Sequence, residues 1–112
     1  MDLNLEKYGY EKHYIDHTKR SGKIAHVSGS VFTINGYNLI TKVDMRDLKF
    51  IQDDERVIVH DCQNDIVMDV KLDDIVDWQI KNWGENMEEH VFTLVDRDFY
   101  CKMLVSGYEE TY

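Results

Sequence analysis

"IVMDVKLDDIVDWQI" (residues 66–80) decides how this chain is read. Ile66, Met68, Val70 and Leu72 fall on one side of an extended backbone, and Asp65, Asp69 and Lys71 fall on the other. A period of two is that of a strand with one buried face, because successive side chains leave opposite sides of a sheet. The period resumes beyond Asp74, with Val76, Trp78 and Ile80 on one face and Asp77 and Gln79 opposite. Between the two runs, Leu72-Asp73-Asp74 has the length of a tight turn or a single 3₁₀ turn.

Read outward from here, the chain is β-rich. From residue 22 onward β-branched and aromatic residues come in short runs: "KIAHV", "SVFTI", "YNLITKV", "LKFI", "RVIVH", "IVMDVKL", "IVDWQI", "HVFTLV" and "FYCKMLV". Eight or nine short strands at that spacing predict a mainly β fold, a small antiparallel barrel or sandwich. Asn35-Gly36 supplies the residue types of a type I′ hairpin turn, so residues 30–43 read as a hairpin. Arg97-Asp98 separates a second hairpin pair. At 112 residues the chain fits one domain. It divides into an N-terminal arm or short helix (1–21), a β-barrel core (22–80), a connector (81–89) and a C-terminal hairpin and tail (90–112). "KNWGENMEE" breaks the alternation and reads as a loop or short helix capped near Asn82. A strand, one tight turn and another strand, closing a β segment of this length, resembles the last elements of SH3-like and Sm-like small barrels. That resemblance covers residues 22–80 and implies a fold, not a function.

Charge is the unusual quantity. Asp and Glu number 22 against 13 Lys and Arg, for a formal net charge of -9. Residues 44–98 carry the whole excess, with 16 acidic and 6 basic side chains against 4 and 6 in residues 1–43. Such a surface repels nucleic acid and anionic lipid and attracts basic partners. The aromatic and basic arm "YGYEKHYIDHTKR" (residues 8–20) has rings for stacking and cations for phosphates. The acidic remainder opposes that use, so direct nucleic-acid binding is not expected. With no long apolar run, no membrane span is expected. The two cysteines, Cys62 and Cys101, lack CxxC spacing, which fits a reducing, cytoplasmic setting.

The string "DDIVD" (residues 73–77) matches the DDxxD pattern that holds magnesium against a diphosphate. That chemistry needs the aspartates on one face of a helix, whereas strand flanks send Asp74 and Asp77 to opposite sides. The aspartates therefore read as turn and surface carboxylates. Asp96 and Asp98 mimic the first ligands of a calcium loop, but Cys101 stands where its glycine belongs and Gly107 where its bidentate glutamate belongs. His13 and His17 have zinc-ligand spacing on a helix, with Tyr14 in place of the glutamate that a metalloprotease needs. His26, His60 and His90 lie in strand-like runs as surface or satisfied core residues. Cys62 follows His60 by two residues but is flanked by Asp61 and Asp65, which oppose a thiolate. No catalytic constellation, cofactor site or metal site is expected, so the chain does not read as an enzyme.

In size and charge the chain resembles the small acidic inhibitors that phages and mobile elements direct against nucleases, DNA mimics and anti-CRISPR proteins among them. The resemblance implies a basic protein partner, such as a nucleic-acid enzyme, bound through carboxylates. The candidates are Asp53, Asp54 and Glu55; Asp61, Asp65 and Asp69; and Asp73, Asp74 and Asp77, with Trp78 and Trp83 as aromatic anchors. Alternate carboxylates on a strand lie about 6.6–6.8 Å apart, of the order of neighbouring phosphates. The alternative expectation is a structural module that assembles, with copies of itself or a larger complex, through an edge strand and exposed aromatics, Tyr37 and Tyr100 included.

Overall fold

The computed structural model describes residues 5–12, 22–35, 38–53, 55–105 and 109–111, although not every side chain within the long strands. The described chain is almost entirely β, in nine strands: β1 (Glu11–Lys12), β2 (Gly22–Asn35), β3 (Asn38–Gln52), β4 (Arg56–Asp61), β5 (Ile66–Lys71), β6 (Asp77–Gly84), β7 (Met87–Thr93), β8 (Asp98–Val105) and β9 (Glu109–Thr111). Two single 3₁₀ turns, Leu5–Tyr8 and Leu72–Asp74, complete the elements. The 3₁₀ turn predicted from Leu72-Asp73-Asp74 is therefore present. Of the N-terminal arm, residues 1–4 and 13–21 lie outside the described residues.

Every pairing is antiparallel, in the order β1-β6-β7-β8-β2-β3-β4-β5, with β9 continuing beside β2 beyond β8. The two ends of this path, β1 and β5, are not paired with each other among the described residues, so the sheet is not closed. It still wraps one core. Val57, Val59, Met68 and Val70 from the β4–β5 end join Trp78, Phe92, Phe99, Cys101 and Met103 from the β6–β8 end in a single buried cluster.

The strands that connect these halves must bend. A straight 14-residue strand would reach about 45 Å, while the longest dimension of the molecule is 37 Å. The runs "KIAHV" and "SVFTI" are one strand, β2, and "NLITKV" (38–43) and "LKFI" fall in another, β3. Their register slips between Gly29 and Val31, where β3 carries an extra residue: Asp44 and Met45 stand opposite Ser30. A bulge of this kind sharpens the local coil of a sheet, and Gly29 beside it lets β2 approach β8 closely.

The expected hairpins exist with shifted turns. Asn35 pairs with Asn38, so the connection falls at residues 36–37, outside the described residues. Thr93 pairs with Asp98, and Leu94 N donates to Arg97 O at 2.9 Å, so the second turn is Leu94–Arg97 and Asp98 begins β8. Residues 81–89 are not a connector. They are the distal part of a β6–β7 hairpin turning at Glu85-Asn86, where Asn86 takes a φ of 62°. In this polar stretch the charged residues stand in cross-strand register within continuous ladders, Lys81 opposite Glu89 and Glu89 opposite Lys102.

Candidate functional site

In β5 the alternation is as expected at its centre, with Met68 and Val70 buried and Asp69 and Lys71 exposed. Its first residue, Ile66, is 61 % exposed. β6 departs further. Val76 precedes the strand and is 66 % exposed, so it does not join Trp78 on a buried face. Trp78 and its neighbour Gln79 are both buried, which a half-buried strand does not allow. β6 is covered twice, by the core on one side and along its edge by the Leu5–Lys12 segment, which pairs Glu11 with Ile80 and Lys12 with Gln79. Leu5 and Val91 are buried yet stand apart from the main core cluster.

The acidic residues separate into groups. Asp53 folds its own turn: Oδ1 accepts from the backbone N–H of Glu55 and of Arg56, each at 2.8 Å. The carbonyl of Glu55 accepts from Leu72 N at 2.8 Å, fastening the β3–β4 turn to the 3₁₀ turn. With the β4–β5 register that sets Arg56 opposite Lys71, that bond places Asp53, Glu55, Asp73 and Asp74 at one end of the sheet, with Glu55, Asp73 and Asp74 exposed. Asp54 lies outside the described residues. Asp61 and Asp65 lie at the opposite end of β4 and β5, about 17 Å away at strand rise. Asp61 is 9 % exposed, and its Oδ1 accepts from Gln63 N and Asp65 N at 2.9 Å, so it caps the turn. Asp69 pairs with Arg56 Nη1 at 3.1 Å. The outward residues of β5 are Val67, Asp69 and Lys71, so no ladder of alternate carboxylates runs along that strand. Trp78, expected as an anchor, is 2 % exposed and belongs to the core. Trp83 is half-exposed, with Lys81 Nζ 3.9 Å and Lys102 Nζ 4.7 Å from its ring centroid. Tyr100 is half-buried, and Tyr37 lies outside the described residues.

A second polar group is assembled by register. Across β6, β7 and β8 the outer face carries Asp77-Thr93-Asp98, then Gln79-Val91-Tyr100, then Lys81-Glu89-Lys102. Asp77 Oδ2 accepts from Gln79 Nε2 at 2.7 Å, while its Oδ1 lies 3.9 Å from Lys12 Nζ. Burial pushes the Glu89 carboxyl up, against the opposing pull of Lys102. Burial also pushes up Asp98, opposed by a hydrogen bond from Thr93. Tyr100 is raised by burial and by the negative charges of Asp98 and Glu89. Sequence reading missed this group because its members are neighbours only after the strands are ordered. Its trace was the polar alternation of Asp77, Gln79 and Lys81 and of Asp98, Tyr100 and Lys102.

Both raised carboxyls bind protons more tightly in the folded chain than in the unfolded one. Stability is therefore fully present below their ordinary values and falls as pH rises through the raised folded values. Glu89→Gln with Asp98→Asn is expected to flatten this slope and to leave stability at neutral pH equal or higher by up to about 0.5 kcal/mol per site. Urea denaturation across a pH series is the check, and a steeper decline in the double variant would contradict the assignment.

The remaining candidates are dispersed. His60 Nδ1 lies 2.9 Å from Asp61 O, and His60 shares a cleft of about 340 Å³ with Asp47, Lys49 and Cys62. Cys101 is fully buried, and burial pushes its thiol up to about 12, so it is a packing residue. His13 and His17 lie outside the described residues, and among the described residues no three His, Cys, Asp or Glu side chains are grouped to hold a metal ion. No helix among the described residues is long and apolar enough to cross a membrane. No protein-family profile, curated protein or solved structure matches the chain.

Proposed function

We propose that this protein is an acidic binding module that occupies a basic surface on a protein partner, acting as an inhibitor of a nucleic-acid enzyme in the manner of a DNA mimic. The observation that carries the reading is the Leu72–Glu55 bond of 2.8 Å. Through it, two turns form one end of a packed sheet bearing Asp53, Glu55, Asp73 and Asp74, in a chain of net charge -9. Carboxylates held on ordered turns lose little side-chain and loop entropy on docking. They also steer a basic partner at low ionic strength. In this reading the partner is a cytoplasmic protein of the kind that phage anti-defence or anti-CRISPR-like inhibitors block, and the module performs no catalysis.

The test is reversal of Glu55, Asp73 and Asp74 to Lys, sparing Asp53 because its side chain holds the turn. Capture of basic proteins from a host lysate is expected to fall by at least about tenfold, equivalent to 1.4 kcal/mol, with the circular dichroism spectrum unchanged. Undiminished capture by the folded variant would sink the proposal.

One observation favours a second reading, that of an assembly module. Among the described residues β5 ends the sheet path with β4 as its one neighbour, and Ile66 on it is 61 % exposed. A small barrel of the SH3-like or Sm-like kind would use such an edge to pair with another copy or a larger complex, with the half-exposed Trp83 as an aromatic anchor. Sedimentation at micromolar concentration distinguishes the two, since a strict monomer leaves only the acidic module.

A further inference from the structure

Among the described residues the core holds one histidine, and its surroundings allow the neutral ring only one tautomer. His90, on the inward face of β7, is 2 % exposed. The rings of Phe50, Trp78 and Phe92 surround it, with centroids 5.3, 5.9 and 5.9 Å away. Both of its nitrogens are engaged: Trp78 Nε1 lies 3.0 Å from Nδ1, and Glu88 Oε1 lies 2.9 Å from Nε2. An indole N–H can only donate. Nδ1 must therefore present a lone pair, and the ring proton sits on Nε2, donated to Glu88.

Adding a proton would reverse one of these bonds and keep the other. With Nδ1 protonated, two N–H groups would oppose each other across 3.0 Å, where buried groups have no water to turn to. The new charge itself is compensated, because Nε2 still faces the Glu88 carboxylate, whose side chain is 19 % exposed and so reachable from solvent. On the adjoining strands, β8 presents Cys101 as the register partner of His90, and this buried thiol stays neutral. β3 presents Phe50 and β6 presents Trp78, neither of them acidic or basic. The contact that a proton on Nδ1 sets against itself is the one between β7 and the indole of β6.

We propose that His90 is a proton-operated latch: protonation at Nδ1 breaks the Trp78–His90 hydrogen bond, while Glu88 retains the ring, and the indole is released from its fixed position in the core. The proton comes from solvent, and nothing else is transferred. The consequence is local, since the Trp78–Phe92 contact at 4.7 Å and the β6–β7 ladder do not depend on the ring proton.

The experiment uses the full chain carrying Trp83→Phe, which leaves Trp78 as the sole indole, titrated from neutral pH downward until the chain unfolds. The ring nitrogen shifts of His90 are expected to report the Nε2–H tautomer at the start and protonation during the titration. The Trp78 indole N–H resonance and fluorescence are expected to shift with the same midpoint, while the far-ultraviolet circular dichroism holds. His90→Gln keeps an acceptor for Trp78 and a donor for Glu88 but cannot titrate, and its expected result is loss of the Trp78 transition. The proposal is overturned if His90 takes up a proton with the indole resonance unmoved, if His90→Gln shows the same transition, or if His90 stays neutral until the chain unfolds. Should His90→Gln fail to fold, the two midpoints in the His90-containing chain decide: coincidence supports the latch and separation overturns it.

Discussion

Trp78→Ala is expected to cost about 3–5 kcal/mol of folding stability, against a total of about 5–15 kcal/mol for a domain. The side chain is 2 % exposed, and its ring lies 4.7 Å from that of Phe92 and 5.9 Å from that of His90. Truncation removes the largest fully buried side chain of the molecule. The space left is bordered by strands locked in place by their own ladders, so collapse around it is limited and a cavity persists. Part of that loss comes from the Nδ1 lone pair of His90, which the substitution strands, since an unsatisfied buried acceptor costs ~1–3 kcal/mol. Trp78→Phe separates the two effects. It retains a ring at the position and loses the indole N–H, so its expected cost is nearer ~1–3 kcal/mol, from the stranded acceptor and imperfect packing. Urea denaturation followed by circular dichroism reads both. The midpoint should fall with the slope unchanged if the denatured state is unaffected. A loss below about 1 kcal/mol for the alanine variant, the cost typical of ordinary point substitutions, would mean that Trp78 does not organise the core.

That Trp78 lies in the core was half legible from the sequence, and the missing half has a physical cause. Alternation in "IVMDVKL" places Met68 and Val70 inward because β5 has only one covered face, and there the period reports burial directly. The same rule fails one strand later. β6 buries Trp78 and Gln79 in succession because the distant Leu5–Lys12 segment runs along it, and no local pattern reports a cover supplied from 70 residues away in the chain. Hairpins were legible where turn residues separate apolar runs, as in β2–β3 and β7–β8. The β6–β7 hairpin was hidden because its distal half is polar and carries no apolar alternation, with Lys81 and Lys102 placed over the Trp83 ring. The acidic surface was legible as composition but not as geometry. Asp61 and Asp53 spend their carboxylates on their own turns, Asp69 is committed to Arg56, and the strand between Asp61 and Asp53 sends them to opposite ends. What brings Glu55 to Asp73 is the β4–β5 register, with Arg56 opposite Lys71, closed by the backbone bond from Leu72 to Glu55, and the identity of the acidic side chains does not announce it.

Gly29→Ala is the second substitution expected to be severe, and for a reason opposite to that at Trp78: it adds an atom instead of removing several. Replacing glycine by alanine in extended backbone ordinarily stabilises by about 0.4–1 kcal/mol, because the unfolded chain loses freedom. At Gly29 the sign reverses. A Cβ there would overlap the carbonyl oxygen of Lys102 and lie 3.1 Å from Met103 Cα, both backbone atoms of β8. β8 cannot retreat, since it is paired with β2 on one side and with β7 on the other. β2 cannot retreat either, because β3 holds it from Lys23 to Asn35. The strain therefore falls on ladder hydrogen bonds at the bend that joins the two halves of the core, with an expected loss of about 2–3 kcal/mol, the upper range for overpacking. Gly29→Val, with two more methyl groups in the same gap, should fail to give a folded chain. Gly84→Ala is the informative contrast. Nothing lies within 4 Å of a Cβ at Gly84, but its φ is +138°, so its cost is conformational alone and of the order of 1 kcal/mol. Hydrogen exchange distinguishes the two. Gly29→Ala should weaken protection across Lys102, Met103 and Leu104 beyond the global loss, whereas Gly84→Ala should weaken it only near the β6–β7 turn. Equal or greater stability of Gly29→Ala would show that β2 and β8 do not meet backbone to backbone, and the bend would then need a cause other than the missing side chain.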